Sequence, residues 1–500
     1  MKISLISLYP DITSLGIRVI SAYLKQHGHK TQLIFLPDPY GDDIEYGKER
    51  YENHILEEVI SLCQQSDLIG ITLMTNFFDG AVQLTKKLKK ELSTPVIWGG
   101  VHPTIKPEEC LEYADIICIG EGEDAMLELV NKMSRGEDYL HTINLWINTG
   151  NQVIKNPLSP LPRDLDIYPF PDYSMDDHHI MINDQIVPIS HKVTELFLKG
   201  GTVSKYLGKT GYQTMTSRGC PHSCAYCINH TIKEMYGSKG KLRWRSVNNV
   251  IEELMLVKRE MSYVNYIWIS DDEFMAQKID NLKEFAIQYK AKIGLPFSCL
   301  VSPLSVTEEK MSLLVDAGLI YVQMGIESGS VRMQRLYNRE IMNNKRMMKA
   351  ITIINKFKDK DKMYPPSYDF LVDVPFETDE DRIDSLHFIS NIPKPFRLQP
   401  FTLILYPGTL LYEMAKKNVL VIDEYKEIYE KTYTMRKPDY LNLLMTLSKK
   451  GRFPSPLLKI LITSPIVNIL NSKALKPLIK FIYIGMKNIY SLLKIVNVCL

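Results

Sequence analysis

Three cysteines stand within eight residues, in the run Ser217-Arg218-Gly219-Cys220-Pro221-His222-Ser223-Cys224-Ala225-Tyr226-Cys227. The spacing is C-x3-C-x2-C. Thiolates are the soft ligands that iron–sulfur clusters take. Three of them on one loop can hold three irons of a cubane and leave the fourth iron without a protein ligand. An open metal position suits catalysis, whereas structural sites close every position. Zinc is the competing reading. His230 follows Cys227 by three residues, so Cys220, Cys224, Cys227 and His230 could form a Cys3His site.

The elements around the loop favour the catalytic reading. A strand over Tyr212–Thr216 delivers the cysteines. Further strand signals follow at Val264–Ile269, Phe297–Val301, Tyr321–Ile326, Tyr368–Val374 and Arg397–Leu405. Helical periodicity fills the gaps at Val247–Met261, Ile279–Lys290, Thr307–Ala317, Asn343–Lys356 and Asp379–Ile389. Six strands in a βα series predict a partial barrel, whose chemistry sits at the carboxyl ends of its strands. A lone zinc knuckle predicts no such series.

A second βα series precedes the first. Strands are expected at Ile3–Leu8, Thr31–Leu36, Leu68–Leu73, Val96–Trp98 and Ile116–Ile119, with helices near Leu15–His27, Asp79–Leu92 and Ala125–Met133. This alternation predicts a doubly wound parallel sheet. Such sheets bind ligands beyond the carboxyl ends of their strands. Three of those ends carry small or hydroxyl residues, at Asp11–Gly16, Thr72–Thr75 and Gly99–Thr104. Leu161–Met175, with Pro162, Pro169 and Pro171, reads as an irregular linker.

The cysteine spacing and the barrel behind it resemble the radical S-adenosylmethionine (SAM) superfamily. That resemblance implies a [4Fe-4S] cluster on Cys220, Cys224 and Cys227, SAM on the open iron, and cleavage of SAM to a 5′-deoxyadenosyl radical. It places Tyr226 near the adenine and Asp271 and Asp272 near the methionine ammonium. It sets Glu327 against polar atoms of SAM, within the run Gly325-Ile326-Glu327-Ser328-Gly329-Ser330. Ser328 and Gly329 would belong to the same SAM-binding turn. Val374-Pro375-Phe376-Glu377-Thr378 and Tyr406-Pro407-Gly408-Thr409 resemble the family turns after strands five and six, with Val374 replacing a glycine.

The three N-terminal loops resemble the cobalamin-binding domain. Asp11-Ile12-Thr13-Ser14-Leu15-Gly16 stands where relatives read Asp-x-His-x-x-Gly, so Thr13 replaces the histidine that ligates cobalt from below. Thr72 and Met74 lie in the loop that meets the nucleotide tail. Gly99, Gly100 and His102 lie in the Gly-Gly turn, and Gly120 and Glu121 open the run Gly120-Glu121-Gly122-Glu123. The departure at Thr13 implies cobalamin bound with its own base detached and no histidine beneath the metal.

Composition limits the rest. The chain has 500 residues, 45% apolar and 24% charged, which suits a globular protein of two or three domains. Cys63, Cys110, Cys118, Cys299 and Cys499 are scattered and read as buried small hydrophobes rather than a disulfide framework. The N-terminus shows no signal-peptide cleavage region, which points to the cytoplasm. The net charge is +2, yet no Asp or Glu follows Asp439, and nine Lys or Arg do. The body is therefore acidic, which argues against nucleic acid as a partner. From Pro477, Lys480, Lys487 and Lys494 recur every seven residues opposite Leu478, Ile482, Met486, Ile489, Leu493 and Val496. A basic amphipathic helix of this kind suits a membrane interface, or it packs on the barrel. The longest uncharged stretch there, Ile460–Ser472, has thirteen residues, short of a membrane span.

The expected architecture is α/β. It comprises a cobalamin-binding Rossmann-like domain at 1–150, a linker or cap at 151–211, a partial (β/α)6 barrel at 212–420 and a helical C-terminal region at 421–500. The resemblance implies a methyltransferase acting on an unactivated carbon of a small molecule or lipid. It would draw electrons from a donor such as flavodoxin or ferredoxin, with peripheral contact at the inner membrane face through the tail. A cyclase, rearrangement or oxidative enzyme with the same cofactors is the neighbouring reading. A non-catalytic cobalamin sensor is a reading of another class.

Overall fold

The computed structural model describes residues 1–37, 49–237, 242–358, 363–421, 423–429 and 436–485. The chain divides into two compact units. The first comprises Met1–Asp272, Gln288–Pro296 and Leu405–Lys431, and the second comprises Glu273–Ile287, Phe297–Ile404 and Thr432–Leu500.

The first unit is built on a sheet whose centre is five parallel strands: β1 (Lys2–Ser7), β2 (Lys30–Phe35), β3 (Leu68–Thr72), β4 (Val96–Gly99) and β5 (Ile116–Cys118). They lie in the order β5-β4-β3-β1-β2, with Ile6 of β1 level with Ile34 of β2 and Ile71 of β3. Parallel strands covered on both faces read as continuous apolar runs, and the core residues Ile3, Leu5, Leu33, Phe35, Leu68 and Ile97 come from such runs. The helices Leu15–Gln26 and Glu123–Arg135 pack together, the latter adding Ala125, Met126, Leu129 and Val130 to that core. In this strand order the winding reverses between β1 and β3, which opens a ligand crevice beyond their carboxyl ends.

Four short strands extend the sheet beyond the expected five. At the β5 edge, β6 (Leu145–Asn148) and β7 (Val153–Lys155) add antiparallel. At the other edge, β8 (His179–Ile182) runs parallel to β2 and β9 (Gln185–Pro188) returns along it. The turn between β8 and β9 is Asn183-Asp184, both with positive φ (47° and 55°), a pairing suited to a tight two-residue hairpin.

The barrel strands follow. In the first unit β10 (Gly211–Thr214) pairs in parallel with β13 (Tyr266–Ile269). Between them, β11 (Ser217–Arg218) and β12 (Arg243–Trp244) form an antiparallel pair that sets Arg218 opposite Arg243. In the second unit β14 (Phe297–Val301), β15 (Leu319–Glu327), β16 (Ser367–Val372) and β17 (Arg397–Thr402) are all parallel, in chain order. Their helices start at polar caps. Thr307 accepts from the Lys310 amide, and Thr378 forms a reciprocal capping box with Asp381.

The C-terminal region is helical. Helix Tyr440–Ser448 packs on Asp379–Ser390, and Asp439 pairs with Arg382 at 2.6 Å. Asn442 donates to Asp373, and the Tyr440 hydroxyl donates to the Leu461 carbonyl at 3.0 Å. Leu458, Ile462 and Val467 are buried, so the helices through about 470 pack within the second unit. The helix over 476–485 differs. Its Ile479 is buried, but Leu478, Phe481, Ile482 and Ile484 are exposed, Phe481 by 76%. Met486, Lys487, Ile489, Leu493, Lys494 and Val496 lie outside the described residues. Among those described, no helix is long and apolar enough to cross a membrane.

Candidate active site

The loops after β1, β3, β4 and β5 converge on the switch-point crevice. After β1, Asp11 Oδ1 accepts hydrogen bonds from the Thr13 amide at 2.8 Å and from its hydroxyl at 2.7 Å. Thr13 thus spends its hydroxyl on the loop. After β4, Gly100 sits at φ +106°, and a Cβ there would lie 2.8 Å from the Leu73 carbonyl and 3.0 Å from Thr72 Oγ1. Only glycine lets the backbone pass at that distance. After β5, Gly120 has φ +77°, and a Cβ would strike the Tyr236 hydroxyl at 1.9 Å.

Two adjoining cavities occupy this crevice. One of about 350 Å³ runs between β1 and β3 and is lined by Leu5, Ile17, Ile20, Ile71, Ile97 and Met126, with Gly16, Thr72, Gly99, Gly100, Gly120 and Glu121 at its polar end. The other, of about 570 Å³, is bordered by Asp11, Thr13, Gly16, Thr72, Gly100, Gly120 and Glu121 and by Arg218 and Gly219 of the cysteine loop. Eight of the ten residues singled out for cobalamin therefore border one or both of these two cavities. Met74 and His102 line neither cavity. Ser217, in the wall of the first, is fully buried beside Asp271. An apolar slot and glycines whose Cβ has no room fit a large planar cofactor with a detachable flat base.

His102 lies behind the sheet ends. Its ring packs edge-on against Phe78 and Tyr429, and Nδ1 shares a 3.1 Å hydrogen bond with Thr75. Burial, helped by the Lys106 ammonium, drives its pKa down to about 3. The Glu109 carboxylate lies 3.6 Å from Nε2 and accepts from the Tyr429 hydroxyl. Here the folded-state pKa is depressed below the unfolded value. The unfolded chain therefore binds more protons between about pH 6.5 and 3, and stability falls as pH drops through that window. At pH 5 the loss amounts to about 2 kcal/mol. Chemical denaturation at pH 7 and pH 5 should show it, and His102→Gln should flatten the difference.

The cysteine loop is held from several sides. Asp271, fully buried at the end of β13, accepts from the Thr216 amide at 2.6 Å, the Ser217 amide at 3.2 Å and the Thr216 hydroxyl. Both its oxygens are thus engaged by the segment entering the cysteines, and burial still pushes its carboxyl up to about 6. Lys233 donates to the His222 carbonyl at 3.0 Å and Ser223 Oγ at 2.9 Å, and the Leu411 amide donates to the Ala225 carbonyl. Cys224 is buried, while Cys220 and Cys227 are half-buried. Burial pushes the Cys220 thiol up to about 12, and Asp272, Cys227 and Cys224 add to that. Among the described residues no three ligand side chains already converge as around a bound ion. Soft thiols on one short loop are a donor set that fits a cluster. Tyr226 is half-buried beside Cys227. Exposed Asp272 accepts from Asn229 at 2.9 Å. His230, the fourth residue of the zinc reading, pairs with Glu234 at 3.3 Å.

In the second unit, β15 ends at Glu327 with φ +67°, an unusual conformation for a residue with a side chain. Its carboxylate folds back over Gly325, where a Cβ would lie 2.4 Å from Oε1. Arg339 holds the Gly325 carbonyl at 2.7 Å. Ser328 and Gly329 bind Ser385 through Oγ and the amide, so they fasten the turn to helix Asp379–Ser390. Asp369 was not singled out from the sequence. It accepts from Gln323 at 2.7 Å through Oδ2, while buried Oδ1 has no partner. Burial and the nearby Glu327 charge raise its pKa well above the carboxylate range. The available signal was an acid inside the apolar run Tyr368-Asp369-Phe370-Leu371. Glu377, in the turn after β16, is pushed up to about 8 by burial, with Asp381 and Asp373 adding to it against Arg382.

A B12 binding domain model matches residues 1–130, and a radical SAM superfamily model matches residues 214–389. An uncharacterized methyltransferase of Pyrococcus horikoshii is 27% identical over 369 residues, covering 71% of this chain and 71% of the relative. The bacteriochlorophyllide d C-8(2)-methyltransferase of Chlorobaculum tepidum is 24% identical over 383 residues, covering 75% of this chain and 73% of the relative. The solved radical S-adenosylmethionine methyltransferase TsrM from Kitasatospora setae superposes with a TM-score of 0.62 at 16% identity, over 83% of this chain and 76% of that one. That likeness establishes a shared fold.

Proposed function

The chain belongs to the radical SAM superfamily as a member with a B12-binding domain, and we propose that it methylates an unactivated carbon of a small-molecule substrate. It is an enzyme whose cofactors are a [4Fe-4S] cluster, SAM and cobalamin. When bound, these supply the radical that removes the substrate hydrogen and the methyl group that replaces it. The observation that carries the reading is the 570 Å³ cavity, whose wall joins Thr13, Gly100 and Gly120 of the sheet loops to Arg218 and Gly219 of the cysteine loop.

The chain's own residues orient and hold. Cys220, Cys224 and Cys227 are the cluster ligands, and Asp271 fixes the segment that carries them. Tyr226 and Asp272 in the first unit, and Glu327 with Ser328 and Gly329 in the second, are assigned to SAM on their resemblance to the family motifs. Asp369 Oδ1 is buried without a partner, on a carboxyl whose pKa is raised well above the carboxylate range. Asp11, Thr13, Gly16, Thr72, Gly99, Gly100, Gly120 and Glu121 border the cobalamin space, and its apolar arm between β1 and β3 suits the detached base. Cobalt(II) cobalamin on the full chain should therefore give an electron paramagnetic resonance spectrum without nitrogen splitting from a lower ligand. Clear nitrogen splitting would contradict that assignment. The proposal as a whole is tested by reducing the reconstituted enzyme without oxygen and measuring 5′-deoxyadenosine release from SAM. A cobalamin sensor would release none.

The enzyme needs a reductant, and a flavodoxin or ferredoxin is our proposal for it. We also assign the exposed apolar residues Leu478, Phe481 and Ile482, with Lys473, Lys476 and Lys480 nearby and no acidic residue after Asp439, to an anionic membrane surface at the cytoplasmic face. Removing residues from 473 onward spares the packed helices through Leu470. It should leave SAM cleavage intact and abolish binding to phosphatidylserine vesicles. Vesicle binding equal to the full chain's would overturn the assignment.

A further inference from the structure

Three side chains from the two flanks of the cysteine loop close on one turn of the B12-binding sheet. Arg218, two residues before Cys220, pairs with Glu121 at 3.1 Å and with Glu123 at 2.6 Å. Arg243, opposite it in the β11–β12 pair, donates through Nη1 to Glu121 Oε2 at 3.2 Å and to the Pro162 carbonyl at 2.9 Å, and its Nη2 also binds Glu121. Tyr236, at the end of the helix following Cys227, accepts from the Glu121 amide at 3.3 Å and fills the space beside Gly120. Glu123 is buried and Arg243 is half-buried. The same turn borders both cavities. A forked guanidinium pair on a carboxylate fixes orientation as well as distance, which a lysine in its place would not.

We propose that Glu121 and Glu123, gripped by Arg218, Arg243 and Tyr236, are positioning residues that couple the cobalamin crevice to the cysteine loop. The turn is at once a wall of the cobalamin crevice and an anchor of the cysteine loop, so a displacement at either site is felt at the other and each cofactor raises affinity for the other. This rests on the cofactor assignment above. The coupling is reciprocal, since it is a free energy between two binding equilibria.

The test is the dissociation constant of hydroxocobalamin for the full chain, measured without oxygen before and after cluster reconstitution with iron and sulfide. In the wild-type chain the cluster should tighten cobalamin by at least about 5-fold, the lower end of ordinary coupling. In Glu121→Gln, and in Arg243→Lys, which keeps the charge but loses the fork, that ratio should fall to about one. Glu121→Asp should restore part of it. A merely structural clamp would weaken cobalamin equally in both states. An unchanged ratio in both variants, or a wild-type ratio of one, would therefore overturn the coupling while leaving the cofactors in place. Absence of any cobalamin binding by the wild-type chain would instead overturn the functional reading and the coupling with it.

Discussion

Chains carrying Cys220→Ala, Cys224→Ala or Cys227→Ala are expected to lose the cluster and all SAM cleavage. A cubane held by three thiolates has no spare protein ligand, so removing one leaves two irons unheld. Iron should fall from about four per chain to well below one, because a two-thiolate remnant is open to chelation and oxygen. Release of 5′-deoxyadenosine should drop to the uncatalysed background, a fall on the order of 10⁶ or more. His230→Ala separates the two metal readings. Its ring already pairs with Glu234, and a cluster leaves it with no ligand role, so that variant should keep its iron and its activity. Loss of a stoichiometric metal in His230→Ala, or stoichiometric zinc in an active wild-type enzyme, would restore the zinc site.

The second large effect is expected at Asp271. The sequence pointed to it as a SAM contact. In the fold it is the buried acceptor for two amides and a hydroxyl of residues 216 and 217, directly ahead of the cysteines. Asp271→Ala strands those donors away from water, at a cost of about 3–5 kcal/mol. Because the stranded groups sit in the entering segment of the cysteine loop, the cost should appear there first. Iron retention should collapse while the β1–β5 sheet still binds cobalamin. Asp271→Asn keeps one acceptor oxygen and should be intermediate. If Asp271→Ala holds four irons and cleaves SAM normally, the carboxylate does not position the loop.

Where the pattern is strong, the fold could be read from the chain. The apolar runs of β1 to β5 are continuous because both faces of a parallel sheet are covered, and their helices show a clear polar face. The edge strands β6 to β9 are three or four residues long and carry too little alternation to be legible in the sequence. The Asn183-Asp184 pair was the one local sign of the β8–β9 hairpin. Spacing could single out Cys220, Cys224 and Cys227 as candidate ligands, since all three lie on one loop of eight residues. It could not say that Asp271 turns toward Thr216, that His102 turns away from the cavities, or that Asp369 is left with a bare oxygen. Those are consequences of packing between segments distant in sequence. The tail shows the same limit. Its basic, acid-free composition is uniform after Asp439, yet the helices through Leu470 are packed and the one over 476–485 exposes its apolar side.

The measurement closest to the central claim is anaerobic turnover with SAM carrying a deuterated methyl group, in an extract of candidate small molecules analysed by mass spectrometry. The account predicts a product three mass units heavier than its unlabelled methylated form, absent when cobalamin is withheld, with 5′-deoxyadenosine and S-adenosylhomocysteine released in equal amounts. Release of 5′-deoxyadenosine with substrate cyclised, rearranged or oxidised and no label in any product would contradict it.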